Sequence, residues 1–108
     1  MQETNQRQNN NPNRPRQASD SNIIFIGKKP AMSYVLACVT QLNNNHKEVI
    51  LKARGRTISH AVDVAQIVKN KFMPDAEVKN VKIDTEIVKD LSGQELNISS
   101  IEILMGRK

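Results

Sequence analysis

Apolar positions along this chain recur with two different periods, and the switches between them divide it into elements. Asn22-Ile23-Ile24-Phe25-Ile26 is a continuous apolar run ended by Gly27, the pattern of a strand buried on both faces. Pro30 suits the first turn of a helix, where its missing N–H costs nothing. Met32, Val35, Leu36, Val39 and Leu42 follow at helical spacing, and Asn43-Asn44-Asn45 should stop that helix. Glu48-Val49-Ile50-Leu51 predicts a second strand.

Thr57 or Ser59 can cap a second helix, with Ile58, Ala61, Val62, Ala65, Val68 and Phe72 on one stripe and an end before Pro74. Val64 and Ile67 lie off that stripe, so the helix is apolar on more than one side. Either a homodimer covers the extra face or the helix turns a broad face to its own core. From Glu77 the period becomes two: Val81, Ile83, Thr85 and Ile87 share one face while Lys82, Asp84 and Glu86 share the other. Leu91-Ser92-Gly93 supplies a turn. Leu96, Ile98, Ile101, Ile103 and Met105 then return, with a phase slip at Ser99-Ser100 that a β-bulge would accommodate.

The predicted order is βαβαββ, an α+β fold in which two helices lie in one layer against a mixed sheet. Its last two strands are longer than so small a sheet can cover, so the hairpin tip should project as an arm. Residues 1–21 are rich in Asn, Gln, Arg and Pro without apolar periodicity, which predicts a disordered arm preceding a domain over 22–108. Arg7, Arg14 and Arg16 in that arm can add loose phosphate contacts or remain a passive tail.

Composition narrows the function classes. Cys38 is the single cysteine, which excludes an internal disulfide, and its place in Val35-Leu36-Ala37-Cys38-Val39 reads as a small buried hydrophobe. Neither a membrane span nor an apolar signal segment is visible, so a soluble, cytoplasmic protein is expected. No Walker pattern, GxGxxG or Cys/His metal set occurs, and no nucleophile stands beside a base; neither enzymatic activity, a metal nor a cofactor is expected. The formal net charge of +5 points to a polyanion. Most of that excess belongs to the domain, with thirteen Lys and Arg against nine Asp and Glu from Ile23 onward.

That charge is densest in two short turns, Gly27-Lys28-Lys29-Pro30 and Lys52-Ala53-Arg54-Gly55-Arg56, each of which closes an apolar strand and opens a helix. Cations at such corners, beside helix amides that point outward, favour phosphate. With only Phe25, Tyr34 and Phe72 as aromatics the sequence lacks a stacking platform for unpaired bases, so duplex is favoured over single strand. An RNA-binding module acting on structured RNA or in a ribonucleoprotein remains a rival reading, and a scaffold dimer with incidental charge is a third.

Ile26-Gly27-Lys28-Lys29-Pro30, Tyr34-Val35-Leu36, Lys52-Ala53-Arg54-Gly55-Arg56, Ala61-Val62-Asp63 and Ser100-Ile101-Glu102-Ile103, in that order, closely resemble the Alba family of archaeal chromatin proteins. The resemblance implies a homodimer similar in fold to the C-terminal domain of translation initiation factor 3, associated with the chromosome or nucleoid. It implies a protein that binds and coats double-stranded DNA, and RNA as well, with little sequence preference. Lys28 and Lys29 match family lysines that meet phosphate, and the family's name also makes them candidate acetylation sites, with an acetyltransferase and a deacetylase as partners. Arg54 and Arg56, with Lys52 beside them, match the second basic corner. Phe72 matches an aromatic used where dimers associate on DNA, and Val64 and Ile67 are the candidate dimer residues. At the hairpin tip, where relatives often place Arg, this chain has Gln94 and Asn97, with Asp90 and Glu95 alongside and Lys89 the only cation. His60 stands where relatives usually carry Lys or Arg, so a charge there would require a protonated imidazole.

Overall fold

Both helices lie on the same side of the sheet, and that asymmetry decides which apolar residues are core and which are surface. The computed structural model describes residues 21–44 and 47–108, so the arm expected over 1–21 lies outside the described residues apart from Ser21. Its elements are β1 (Ser21–Phe25), α1 (Ala31–Asn43), β2 (Glu48–Arg54), a 3₁₀ turn (Gly55–Thr57), α2 (Ile58–Ile67), a π turn (Val68–Phe72), β3 (Ala76–Lys89) and β4 (Glu95–Arg107). The sheet order is β1-β2-β4-β3, with β1 parallel to β2 and the other pairs antiparallel. The expected α+β arrangement is therefore the observed one.

Ile24, Ile26, Val49, Leu51, Ala53, Ile101, Ile103 and Met105 point from the sheet toward the helices and are buried. Val35, Cys38 and Leu42 of α1 meet them, together with Ala61, Val64, Ala65 and Val68 from the second helical segment. Burial raises the Cys38 thiol to about 11, as expected of a cysteine that packs as a hydrophobe.

Several expectations are corrected. β1 is not buried on both faces: Ile23 and Phe25 are exposed, because among the described residues no helix covers the side of the sheet to which they point. The α1 stripe passes through Val35, Cys38 and Leu42, whereas Met32 and Leu36 are exposed. Helical spacing permits either stripe, and the buried one uses small Cys38 and partly buried Ala31 and Tyr34, which a hydrophobicity pattern underweights. Val64 is fully buried inside its own protomer, so it is a core residue and not an interface residue; Ile67 is half-buried and packs against the same core. Val62 and Phe72 lie outside the core instead. Phe72 is carried off the stripe by the π turn, whose Met73 N–H reaches the Val68 carbonyl at 2.8 Å and so inserts an extra residue into the last turn.

No bulge occurs at Ser99-Ser100, since β4 pairs with β3 in unbroken register there. The change of phase in the sequence is a change of face: Ile101, Ile103 and Met105 point to the helices, while Leu96 and Ile98 point to the open side. The irregularity is at Lys79 in β3, skipped between Val78↔Met105 and Asn80↔Leu104. The arm itself is present. β2 pairing with β4 ends at Arg54↔Ser100, and the hairpin continues through Glu86↔Ile98 to Lys89↔Glu95 with no third strand beside it among the described residues.

Candidate nucleic-acid interface

At the first basic corner the chain leaves β1, makes a tight turn through Gly27, Lys28 and Lys29, and enters α1 behind Pro30, which is its N-cap. The turn is clamped by two side chains. Tyr34, one turn into α1, places its hydroxyl oxygen where it accepts from the Gly27 N–H at 2.9 Å and from the Lys29 N–H at 3.2 Å. His60, from α2, donates through Nε2 to the Lys29 carbonyl at 2.8 Å. The imidazole read from the sequence as a switchable cation therefore aims that nitrogen inward, at the backbone of the lysine loop. The two rings meet edge to face with centroids 5.8 Å apart. Gly27 permits this approach, since a Cβ there would stand 3.2 Å from the Tyr34 hydroxyl.

With the backbone held by Tyr34 and His60, both lysine side chains are left exposed. Lys28 and Lys29 are exposed and, among the described residues, neither has a carboxylate partner.

The second corner is built differently. β2 runs on through Lys52, Ala53 and Arg54, longer than the Glu48–Leu51 strand expected, so only Gly55-Arg56-Thr57 forms the turn. Gly55 has φ +61°, a left-handed conformation that glycine adopts without penalty. The Thr57 hydroxyl folds back on the strand end, donating to the Arg54 carbonyl at 2.9 Å and accepting from the Arg54 N–H at 3.3 Å.

Strand alternation buries Ala53 beneath the helices and turns Lys52 and Arg54 to the open face of the sheet. There they meet carboxylates. Arg54 bonds Glu86 of β3 at 2.9 Å, and Lys52 lies 3.4 Å from Glu102 of β4. Solvent-exposed pairs of this kind contribute only about 0–1 kcal/mol, so an incoming phosphate can displace the carboxylate, but it first has to compete. Arg56 is exposed, with no carboxylate partner among the described residues.

The hairpin tip stands apart. Ile98 packs close to Gly55, and the Lys89–Glu95 end of the arm lies about 10 Å further along the strands. Asp90 Oδ1 organises the turn by accepting from the Ser92 hydroxyl at 2.7 Å and from the Ser92 and Gln94 N–H groups, each at 2.9 Å. The Ser92 hydroxyl, followed by the Gln94 amide, holds that carboxyl below its usual range. Lys89 is directly opposite Glu95, and Asn97 is opposite Ile87. The Lys89, Gln94 and Asn97 side chains are all exposed, but the fold does not bring them into the group formed by the two corners.

Sequence reasoning missed Tyr34 and His60 as clamps and Glu86 and Glu102 as counter-ions. Tyr34 sits seven residues after Gly27, on the first turns of a helix that starts at the corner, and that placement was a usable signal. Nothing local marks Glu86, because its proximity to Arg54 depends on strand order.

The Alba family model matches residues 22–85. The DNA/RNA-binding protein Alba of Thermoplasma acidophilum is 56% identical over 89 residues, covering 82% of this chain and 99% of that one. Its counterpart in Methanocella arvoryzae is 50% identical over 88 residues, covering 82% and 92% respectively. The structure of Alba from Thermoplasma volcanium superposes with a TM-score of 0.76 at 57% identity, covering 80% of this chain and 100% of that one. With motifs, fold and full-length relatives in agreement, this chain belongs to the Alba family.

Proposed function

We propose that this protein binds nucleic acid duplexes through their phosphates, with little dependence on sequence, and does so as a homodimer that coats or compacts DNA. The observation that carries the reading is the first corner: two exposed ammoniums on a loop fixed by Tyr34 and His60, ready to meet phosphate without rearrangement. Relatives with 56% and 50% identity over 89 and 88 aligned residues are named DNA/RNA-binding proteins, which supports the same partner class. Lys28, Lys29 and Arg56 make the primary contacts, and Lys52 and Arg54 join once their carboxylates are displaced. The tip residues Lys89, Gln94 and Asn97 position the arm more than they add affinity.

The dimer is supported by an apolar row left uncovered in the protomer. Val81, Ile83 and Ile87 stand on the helix-facing side of β3, beyond the reach of either helix, with 51%, 75% and 66% of their surfaces exposed. A second copy is the simplest cover for such a row. Ile83→Glu leaves the protomer core intact and is expected to give monomers in sedimentation; a wild-type protein that sediments as a monomer at micromolar concentration refutes the dimer. Phe72, exposed at the end of the π turn, is available for contacts between dimers.

The decisive experiment is equilibrium titration of several unrelated duplexes across a salt series. With Lys28, Lys29 and Arg56 engaged in both subunits, log K should fall against log salt with a slope of about −5, approaching about −7 as far as Arg54 is released from Glu86, and similar for every sequence. An affinity insensitive to salt, or confined to one sequence, contradicts the proposal. Running the series on duplex RNA beside duplex DNA separates the chromatin role from action on structured RNA. Lysine acetylation at Lys28 or Lys29 would remove charge without touching the core; Gln at both positions should weaken binding with the fold unchanged.

A further inference from the structure

Phe25 is the most exposed aromatic of the chain, with 71% of its surface accessible, and it stands on the open face of the sheet where neither helix reaches. It is not isolated there. Strand pairing sets it beside Lys52, which is beside Glu102, and the Lys52 ammonium lies 5.8 Å from the ring centroid. Arg54 and Ser100 form the next row. Phe25, Lys52, Arg54, Glu86, Ser100 and Glu102 together line an open pocket of about 420 Å³, within the range of small-ligand sites.

We infer that this pocket is a second nucleic-acid site, which takes one unpaired nucleotide of a single strand with its base stacked on Phe25 and its phosphate between Lys52 and Arg54. The inference rests on the proposed phosphate-binding function but assigns a different ligand state to the open face of the sheet, where Lys52 and Arg54 serve both ligands and Phe25 serves the single strand alone. A phenyl ring flanked by cations offers a base a stacking surface and its phosphate a counter-charge at the same time. A duplex cannot use the ring, because its base faces are already stacked on one another. The Lys52–Glu102 and Arg54–Glu86 pairs hold the two cations at the pocket rim, and phosphate replaces the carboxylates when a nucleotide enters. Stacking and phosphate contact require no 2′-hydroxyl, so RNA and DNA strands should occupy the site alike.

The chain contains no tryptophan, so Phe25→Trp places a single indole fluorophore in the pocket. Adding an oligoadenylate octamer, ribo or deoxyribo, should quench it, whereas a fully paired duplex should leave the emission nearly unchanged. Phe25→Ala should weaken octamer binding by about tenfold, the usual scale of one lost base–aromatic stack, with duplex affinity kept within about twofold. Phe25→Tyr should restore octamer affinity. An absence of quenching, or equal losses on octamer and duplex, overturns the site; so does an emission shift that follows protein concentration without oligonucleotide, which would assign the ring to contact between copies. Failure of this site with duplex binding and its salt slope intact leaves the proposed function standing, whereas loss of both refutes the two together.

Discussion

The two basic corners look equivalent in the sequence and are electrostatically different in the fold. At the first, a tyrosine hydroxyl and an imidazole hold the backbone, and Lys28 and Lys29 face no carboxylate among the described residues. At the second, Lys52 and Arg54 face Glu102 and Glu86 across the open sheet. A count of cations overstates what the second corner can give. Counterion release depends on charge that is not already neutralised, so the first corner should dominate both affinity and salt dependence.

The sharpest way to break this comparison is to neutralise each pair in turn. Lys28→Ala with Lys29→Ala should weaken duplex binding by roughly ten- to a hundredfold at moderate salt. It should also make the salt slope shallower by about 3.6 for a dimer, as expected for four lost phosphate contacts. Lys52→Ala with Arg54→Ala removes the same formal charge but should cost distinctly less, because Glu86 and Glu102 already neutralise part of it. Equal losses in affinity and slope would show that the crossing carboxylates do not matter.

Backbone geometry gives the next largest effect, and it acts on the second corner alone. A side chain at Gly55 must sit at φ +61°, which costs an L-residue about 1–2 kcal/mol. A Cβ there meets Ile98 only at ordinary contact distance, 3.6 Å, so the penalty is conformational and not steric. Gly55→Ala should lower denaturant stability by that amount, while binding carried by Lys28 and Lys29 should persist. If duplex affinity collapses while the protein remains folded, the second corner is the primary grip and the comparison is reversed.

The first corner has its own test in the clamp. Tyr34→Phe keeps the packing of the ring but deletes the oxygen that accepts from Gly27 and Lys29, so these N–H groups must turn to water or remain unpaired. Because the Lys29 amide is exposed and the Gly27 amide only part-buried, a loss of about 0.5–1.5 kcal/mol in stability is expected, the net contribution of an ordinary hydrogen bond, with faster amide exchange at Gly27 and Lys29. Duplex affinity should drop several-fold although no charge has changed. Unchanged exchange at those amides would remove the pre-organised loop from the explanation.

How much of this was legible beforehand follows from what each feature depends on. Element order, the projecting hairpin and the two basic corners depend on local periodicity and on Gly and Pro, which a sequence displays directly. The family resemblance rests on motifs of the same local kind. The fate of Val64, Ile23 and Phe25 depends on which face of the sheet carries the helices, and apolar spacing alone does not encode that. The bulge at Lys79 and the Arg54–Glu86 pair depend on register between strands far apart in the chain. The open-face reading of Leu96 and Ile98 follows the same rule: their change of phase was visible, but its meaning was not.

The smallest predicted effect is the most specific to the difference between the corners. Glu86→Gln removes the carboxylate that bonds Arg54 while keeping a side chain of nearly the same size that still presents an oxygen. Because the pair is exposed and surface pairs contribute about 0–1 kcal/mol, stability should barely change. The guanidinium, however, loses its competitor. Duplex affinity should rise by about two- to fivefold, and the salt slope should steepen toward the value expected when Arg54 releases counterions in full. The same substitution made in the Lys52→Ala, Arg54→Ala background should do nothing beyond the small general effect of removing one negative charge. If the gain is the same in both backgrounds, Glu86 acts as a diffuse charge and not as the partner of Arg54, and the second corner is no more restrained than the first.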